Sequence, residues 1–458
     1  MSAWFMHALY TVGGFVLALG LLVFIHEYGH YSVARLCGVK VLRFSLGFGP
    51  VIWSRRRGRD QTEWTVSAIP LGGYVRMVDE REGEVPAADL PRAFNRQPLG
   101  RRAAIVAAGP AANLLLAVLL FATADMIGVP GLRPFVDAPP KASAAAVAGL
   151  QGGDEIVAVD QAAVQDWNAL RMQVAGAAVD GRALHVTVQR TDGVRTEHSL
   201  DTTGALAGAD GDPADALGLR VWNPSVPARL GQLLTGGAAE RQGLHAGDLV
   251  LAVDGQPVQD WAAFVSRVRA SPGVALHLQV QRGAAQLALT VTPERDASAQ
   301  PALGRIGAAV AVDPALHRKL EVLVRRAPWP ALQDGVRRTV DLCHMTVSML
   351  WRMLTGHAST KGIGGPLQIA SAAGETARLG LVPFLGFLAL ISVSLGVLNL
   401  LPVPVLDGGH LLYYSFELVS GKPLPDQVIA TGTRIGLALL AGLMALAFFN
   451  DFNRFFSG

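Results

Sequence analysis

Charge is scarce in this 458-residue chain. Asp, Glu, Lys and Arg make up 16% of it, apolar residues 51%, and mean hydropathy is +0.34. A soluble domain carries about 25% charged residues, so the composition excludes an ordinary soluble protein and points to an integral membrane protein. Cysteine is nearly absent: Cys37 and Cys343 are too few for a disulfide framework. No long basic block interleaved with aromatics occurs and the formal net charge is only +3, which excludes nucleic acid as a partner. No Asp, Glu, Lys or Arg precedes Glu27. That apolar opening lacks a basic leader region, and its small-residue sites come before the histidines that follow, so it reads as a retained span.

Four stretches are apolar and long enough to span a bilayer: residues 8–35, 103–128, 382–401 and 433–449. A fifth, "GVRRTVDLCHMTVSMLWRMLTG", carries Arg337, Arg338, Asp341, His344 and Arg352 and reads as an amphipathic helix on the membrane surface. Arg35, Lys40, Arg43, the cluster "SRRRGR" and Arg101–Arg102 lie between the first two spans. The positive-inside rule puts that loop in the cytoplasm. The N-terminus and the roughly 250 residues after the second span are then outside, and the third span returns to the depth of the first span's inner end.

The outer segment contains a repeat. "AAAVAGLQGGDEIVAVDQAAVQDW" and "AAERQGLHAGDLVLAVDGQPVQDW" agree at 13 of 24 positions, 94 residues apart, a domain-sized offset. Each copy predicts a Gly-Asp turn, a short apolar strand, an acidic turn and a helix opening near Trp167 or Trp261. The order resembles the PDZ domains of bacterial proteases, which can take a peptide as an added strand. Gln161 departs from that pattern, where the second copy has Gly255.

Ionisable side chains in a span are costly and are seldom retained without a role. "HEYGH" puts His26 and His30 four residues apart on one helical face, able to present two imidazoles to one metal, with Glu27 beside them to reach a water. A catalytic zinc takes three protein ligands and leaves one position open. The third candidate is Asp407, the sole carboxylate of "NLLPVPVLDGGHLLYY" at the inner end of the third span. His410 is its rival. Pro402 and Pro404 interrupt regular helix there, and Gly408 and Gly409 permit close backbone approach. In the second span Gly109, Pro110 and Asn113 bring small residues and one amide to a helix interface, where close contact between helices is the expected role. "TEWTVSAIPLGGYVRM" alternates and holds a Gly-Gly turn, so it reads as a hairpin that could dip back toward the site, with Gly72, Gly73 and Tyr74 as its tip.

"HEYGH", "GPAANLLLA" and "NLLPVPVLDGGH", in that order, together resemble the site-2 protease family of intramembrane zinc metalloproteases. The resemblance extends to "AIPLGGYVRM" and the tandem repeat, and so covers the whole chain. It implies that His26, His30 and Asp407 bind Zn2+ and that Glu27 is the catalytic carboxylate. Asn399 would sit near the substrate backbone, and the hairpin at Gly72, Gly73 and Tyr74 would pair with extended substrate. It further implies single-span membrane proteins as substrates, among them a membrane anti-sigma factor trimmed beforehand by another protease during envelope stress. The protein would lie in lipid, in a bacterial inner membrane, with its repeats in the periplasm and its site near the cytoplasmic face.

The expected fold is a polytopic α-helical membrane protein of about four transmembrane helices and a re-entrant β-hairpin, with two inserted PDZ-like α+β domains. Its expected parts are residues 1–130 (first two spans and hairpin), 131–220 and 221–310 (the PDZ-like pair), 311–380 (amphipathic linker at the outer surface) and 381–458 (C-terminal membrane part). The competing readings are a PDZ-bearing scaffold without protease activity, which would need no triad, and a transporter, which would show repeats within its spans.

Overall fold

The computed structural model describes residues 3–190, 192–203, 212–296, 302–311, 313–355 and 365–457. They form two compact units, residues 1–129 with 325–458, and residues 130–324.

The first unit is helical. α1 (Ala3–Leu36) is followed by strands β1 (Val41–Arg57) and β2 (Thr62–Met77) and by α2 (Leu99–Ile127). Its C-terminal part comprises α3 (Pro328–Leu354), α4 (Pro366–Leu379), α5 (Leu381–Asn399), α6 (Asp407–Ser420) and α7 (Asp426–Ser457). Four of these helices are long and apolar enough to cross a membrane, over Leu9–Leu36, Leu99–Ile127, Leu381–Asn399 and Gln427–Phe452. The chain is a polytopic membrane protein.

α2 is the hub. It packs against α1, α3, α5 and α6, around a core that includes Ala18, Ala117, Phe121, Leu388 and Val393. Small residues let these helices approach: a Cβ on Gly29 would strike the Ala108 carbonyl, and one on Gly335 the Val118 carbonyl at 2.6 Å. At the end of α2, Asp125 is 2% exposed and is met by Arg326 at 3.0 Å and Arg338 at 3.4 Å. A buried charge needs such partners. α3 is therefore tied to α2 by ions as well as by apolar contact.

β1 and β2 pair along more than one edge. One reversal falls at residues 58–61, where the Gln61 N–H donates to the Gly58 carbonyl (3.1 Å). Arg57 faces Thr62 and Trp53 faces Val66. The start of β1, Arg43–Leu46, runs parallel to Glu63–Val66 on one side and antiparallel to Gly73–Arg76 on the other, so the chain also doubles back between Val66 and Gly73. Gly72, at φ +119°, bends the strand because the Phe48 ring occupies the space a Cβ would need.

The second unit holds two sheets of the same strand order. In the first, Ala162–Ala163, Glu155–Val159, Leu184–Gln189 and Arg195–Leu200 are neighbours in that sequence. In the second, Gln256–Pro257, Leu249–Val253, Leu276–Arg282 and Ala285–Val291 are. All pairs are antiparallel, and each sheet has a core of its own, one drawn from Val136–Leu219 and the other from Ala228–Ile306.

The repeated acids explain the repeated shape. Asp154 and Asp248 accept from Gln151 N–H (2.8 Å) and His245 N–H (2.9 Å) in the Gly-Asp turns. Asp166 and Asp260 cap the helices at Trp167 and Trp261. Asp248 is fully buried against the Arg282 guanidinium, which holds its carboxyl below the usual carboxylate range.

Candidate metal centre

The site is built from α1 and the segment leading into α6. His26 and His30 lie one turn apart on α1, with Nε2 atoms 3.3 Å from each other. Asp407 Oδ2 is 3.2 Å from His26 Nε2 and 3.5 Å from His30 Nε2. These residues are the one group of three or more potential metal donors found among the described residues. His410, one turn further along α6, stands edge-on to Tyr413 and is outside the group.

The donor set suits zinc. Bonds of about 2.0–2.1 Å in a tetrahedron place neighbouring ligand atoms about 3.3 Å apart, and the three observed separations straddle that length. Two nitrogens and one carboxylate oxygen are ordinary zinc donors, and three of them leave a fourth position open. His30 is oriented for such a role: its Nδ1–H donates to the Ile105 carbonyl (2.8 Å), leaving Nε2 with a free lone pair.

Asp407 reaches this point because helix stops before it. α5 ends at Asn399, and residues 400–406 make a short irregular crossing in which the Leu406 N–H donates to the Val403 carbonyl (3.1 Å). Val405 takes φ +94°, a region a β-branched residue rarely enters. That strain sits two residues from the carboxylate. A Cβ on Gly408 would strike the Leu400 and Leu401 carbonyls and one on Gly409 the Val403 carbonyl, so the glycine pair is what lets α6 start so close. That α6 starts at Asp407 was not read from the sequence.

Glu27 is 8% exposed, and no hydrogen bond or ion pair engages its carboxylate among the described residues. β2 runs against it: a Cβ on Gly73 would lie 2.9 Å from Glu27 Cγ. Tyr74 stacks on Phe48, with ring centroids 6.2 Å apart, and its hydroxyl accepts from Arg43 (3.3 Å). Asn399 is the last residue of α5, half-buried, with no side-chain hydrogen bond among the described residues.

Two residues read from the sequence as close contacts between helices do more. A Cβ on Gly109 would run into the His30 Nε2 atom and lie 2.9 Å from His26 Cε1. Asn113 is fully buried with its amide nitrogen 3.3 Å from His26 Nδ1. Their spacing of four, matching that of the two histidines, was the available signal.

Comparison with known proteins agrees with this chemistry. Peptidase family M50 matches residues 14–443. The chain belongs to peptidase family M50 and is a site-2 zinc metalloprotease. It is 41% identical to the regulator of sigma-E protease RseP of Escherichia coli (strain K12) over 97% of this chain and 99% of that protein. It is also 41% identical to the regulator of sigma E protease of Salmonella typhimurium (strain LT2) over the same shares, and 40% identical to the protease RseP of Yersinia pestis over 98% and 100%.

Proposed function

We propose that the protein hydrolyses a peptide bond within the transmembrane segment of single-span membrane proteins, with His26, His30 and Asp407 holding zinc and Glu27 moving the proton. The observation that carries this reading is the convergence of three zinc-type donors beside a carboxylate that has no hydrogen bond or ion pair among the described residues. Zinc in such a site supplies Lewis acidity, polarising a carbonyl oxygen and acidifying water. Glu27 accepts the proton of the attacking water and returns it to the leaving amine. Its burial on the strand at Gly73 keeps bulk water off the transfer.

A substrate helix satisfies all its own backbone bonds, so it must unwind before its carbonyl can react. The β1–β2 ribbon is suited to receive the unwound strand. Its bent end exposes Phe48, Ile52, Trp53 and Ile69, while Arg55–Arg57 and Arg59 gather at the other end, which supports a ribbon that dips into lipid from the cytoplasm. Gly72, Gly73, Tyr74 and Asn399 are its proposed substrate contacts. Residues 131–220 and 221–310 serve as two PDZ-like domains, a reading supported by two sheets of like order with separate cores. The names of its relatives place them in sigma-E regulation, and we assign this chain the same setting: the bacterial inner membrane, the paired domains in the periplasm, and a membrane anti-sigma factor as substrate after prior trimming.

Zinc analysis and a cleavage assay on one set of purified variants test the site. Glu27→Gln is expected to keep wild-type zinc and lose at least about 100-fold in hydrolysis, the scale of general-base loss. His26→Ala, His30→Ala and Asp407→Ala are expected to lose both. Wild-type activity in Glu27→Gln would overturn the assignment.

A further inference from the structure

The Asn113 side chain raises a question of protons. Its amide nitrogen faces His26 Nδ1 at 3.3 Å, while its amide oxygen, in the same buried site, has no hydrogen-bond partner among the described residues. An amide nitrogen can only donate, so this orientation requires Nδ1 to accept and the His26 proton to sit on Nε2. Yet Nε2 is the atom turned toward Asp407 and His30. If Nε2 holds a metal, the proton must move to Nδ1, and then two donors face each other while an acceptor stays unpaired nearby. A half-turn of the carboxamide exchanges its oxygen and nitrogen at almost no change of shape. The oxygen then accepts from Nδ1–H, and the ring is locked in the tautomer that a metal needs.

Resting on the proposed role of His26, we propose that Asn113 is a positioning residue for the metal: its amide oxygen accepts the His26 Nδ1–H when Nε2 is a ligand. Its place is well fixed. The Asn113 carbonyl accepts from Ser392 Oγ at 2.7 Å, which ties this turn of α2 to α5, and Gly109 one turn earlier leaves room for both rings. His30 has the backbone oxygen of Ile105 for the same purpose. α2 thus supplies an acceptor to each imidazole, one from its backbone and one from a side chain.

The test is zinc affinity, measured by competition with a chromophoric chelator on the detergent-purified full chain, with no activity readout needed. Asn113→Leu keeps the branched heavy-atom shape and removes the acceptor, and is expected to weaken zinc binding 10–100-fold, the usual scale for loss of such a partner. Asn113→Asp restores an acceptor and removes the donor, and is expected to bind within a few-fold of wild type. Asn113→Ala repeats the loss without a branched side chain against His26, should the Leu variant fail to fold. Zinc-free unfolding of each variant is followed alongside. Wild-type affinity in both Leu and Ala variants, or a failure of Asp as large as theirs, would overturn the proposal. Wild type and His30→Ala separate this outcome from the underlying one. If wild type holds no stoichiometric zinc, or His30→Ala holds it as tightly, the metal-site reading has failed and Asn113 with it.

Discussion

At the scale of single residues, the site depends as much on missing side chains as on reactive ones. His26, Glu27, His30 and Asp407 were legible in the sequence because their spacing and their cost in a span both point to a metal. Gly109 was legible only as a small residue, since nothing in the sequence says that its face of α2 meets the imidazoles rather than an aliphatic neighbour. The structure makes it specific: a methyl group there has to displace His30 Nε2 or His26 Cε1. Gly109→Ala is therefore expected to lower zinc stoichiometry well below one per chain while the protein stays folded. Gly20→Ala, where a Cβ meets nothing within 4 Å, is expected to leave it unchanged. Zinc analysis of the two purified variants checks this.

Among the elements, strand and helix periods located the repeats and spans, but pairing partners were out of reach. The β1–β2 ribbon shows why. The glycine pair marks a bend, but nothing in the sequence says that Arg43–Leu46 lies between the two arms, beside Glu63–Val66 on one edge and Gly73–Arg76 on the other. In the repeats the sequence told more. Gln161 differs from Gly255, yet both take the same left-handed turn, at φ +67° and +76°. A side chain in that region costs about 1–2 kcal/mol, partly offset by the roughly 0.5–1 kcal/mol that glycine loses in ordering. Gly255→Gln is expected to destabilise the second repeat by about 1 kcal/mol, and Gln161→Gly to leave the first unchanged or slightly more stable. Thermal melts of both variants are the check.

For the whole molecule, polytopic architecture followed from apolar run lengths and the basic loop, whereas Asp407 could be brought to His30 only by a topological argument. The geometry now supplies distances of 3.2 and 3.5 Å to the two imidazoles. For the paired domains we propose a size filter that admits only trimmed substrates. Deleting residues 135–300 is then expected to let the enzyme cut an untrimmed single-span substrate that wild type refuses. Slower cleavage of the trimmed form would instead favour recruitment. The central claim is that one zinc is held by His26, His30 and Asp407, and X-ray absorption at the zinc edge reads its ligands directly. Wild type is expected to show only nitrogen and oxygen neighbours at about 2.0–2.2 Å, and Asp407→Cys is expected to add one sulfur at about 2.3 Å. A sulfur shell in wild type, or a ligand shell in Asp407→Cys that does not change, would contradict the account.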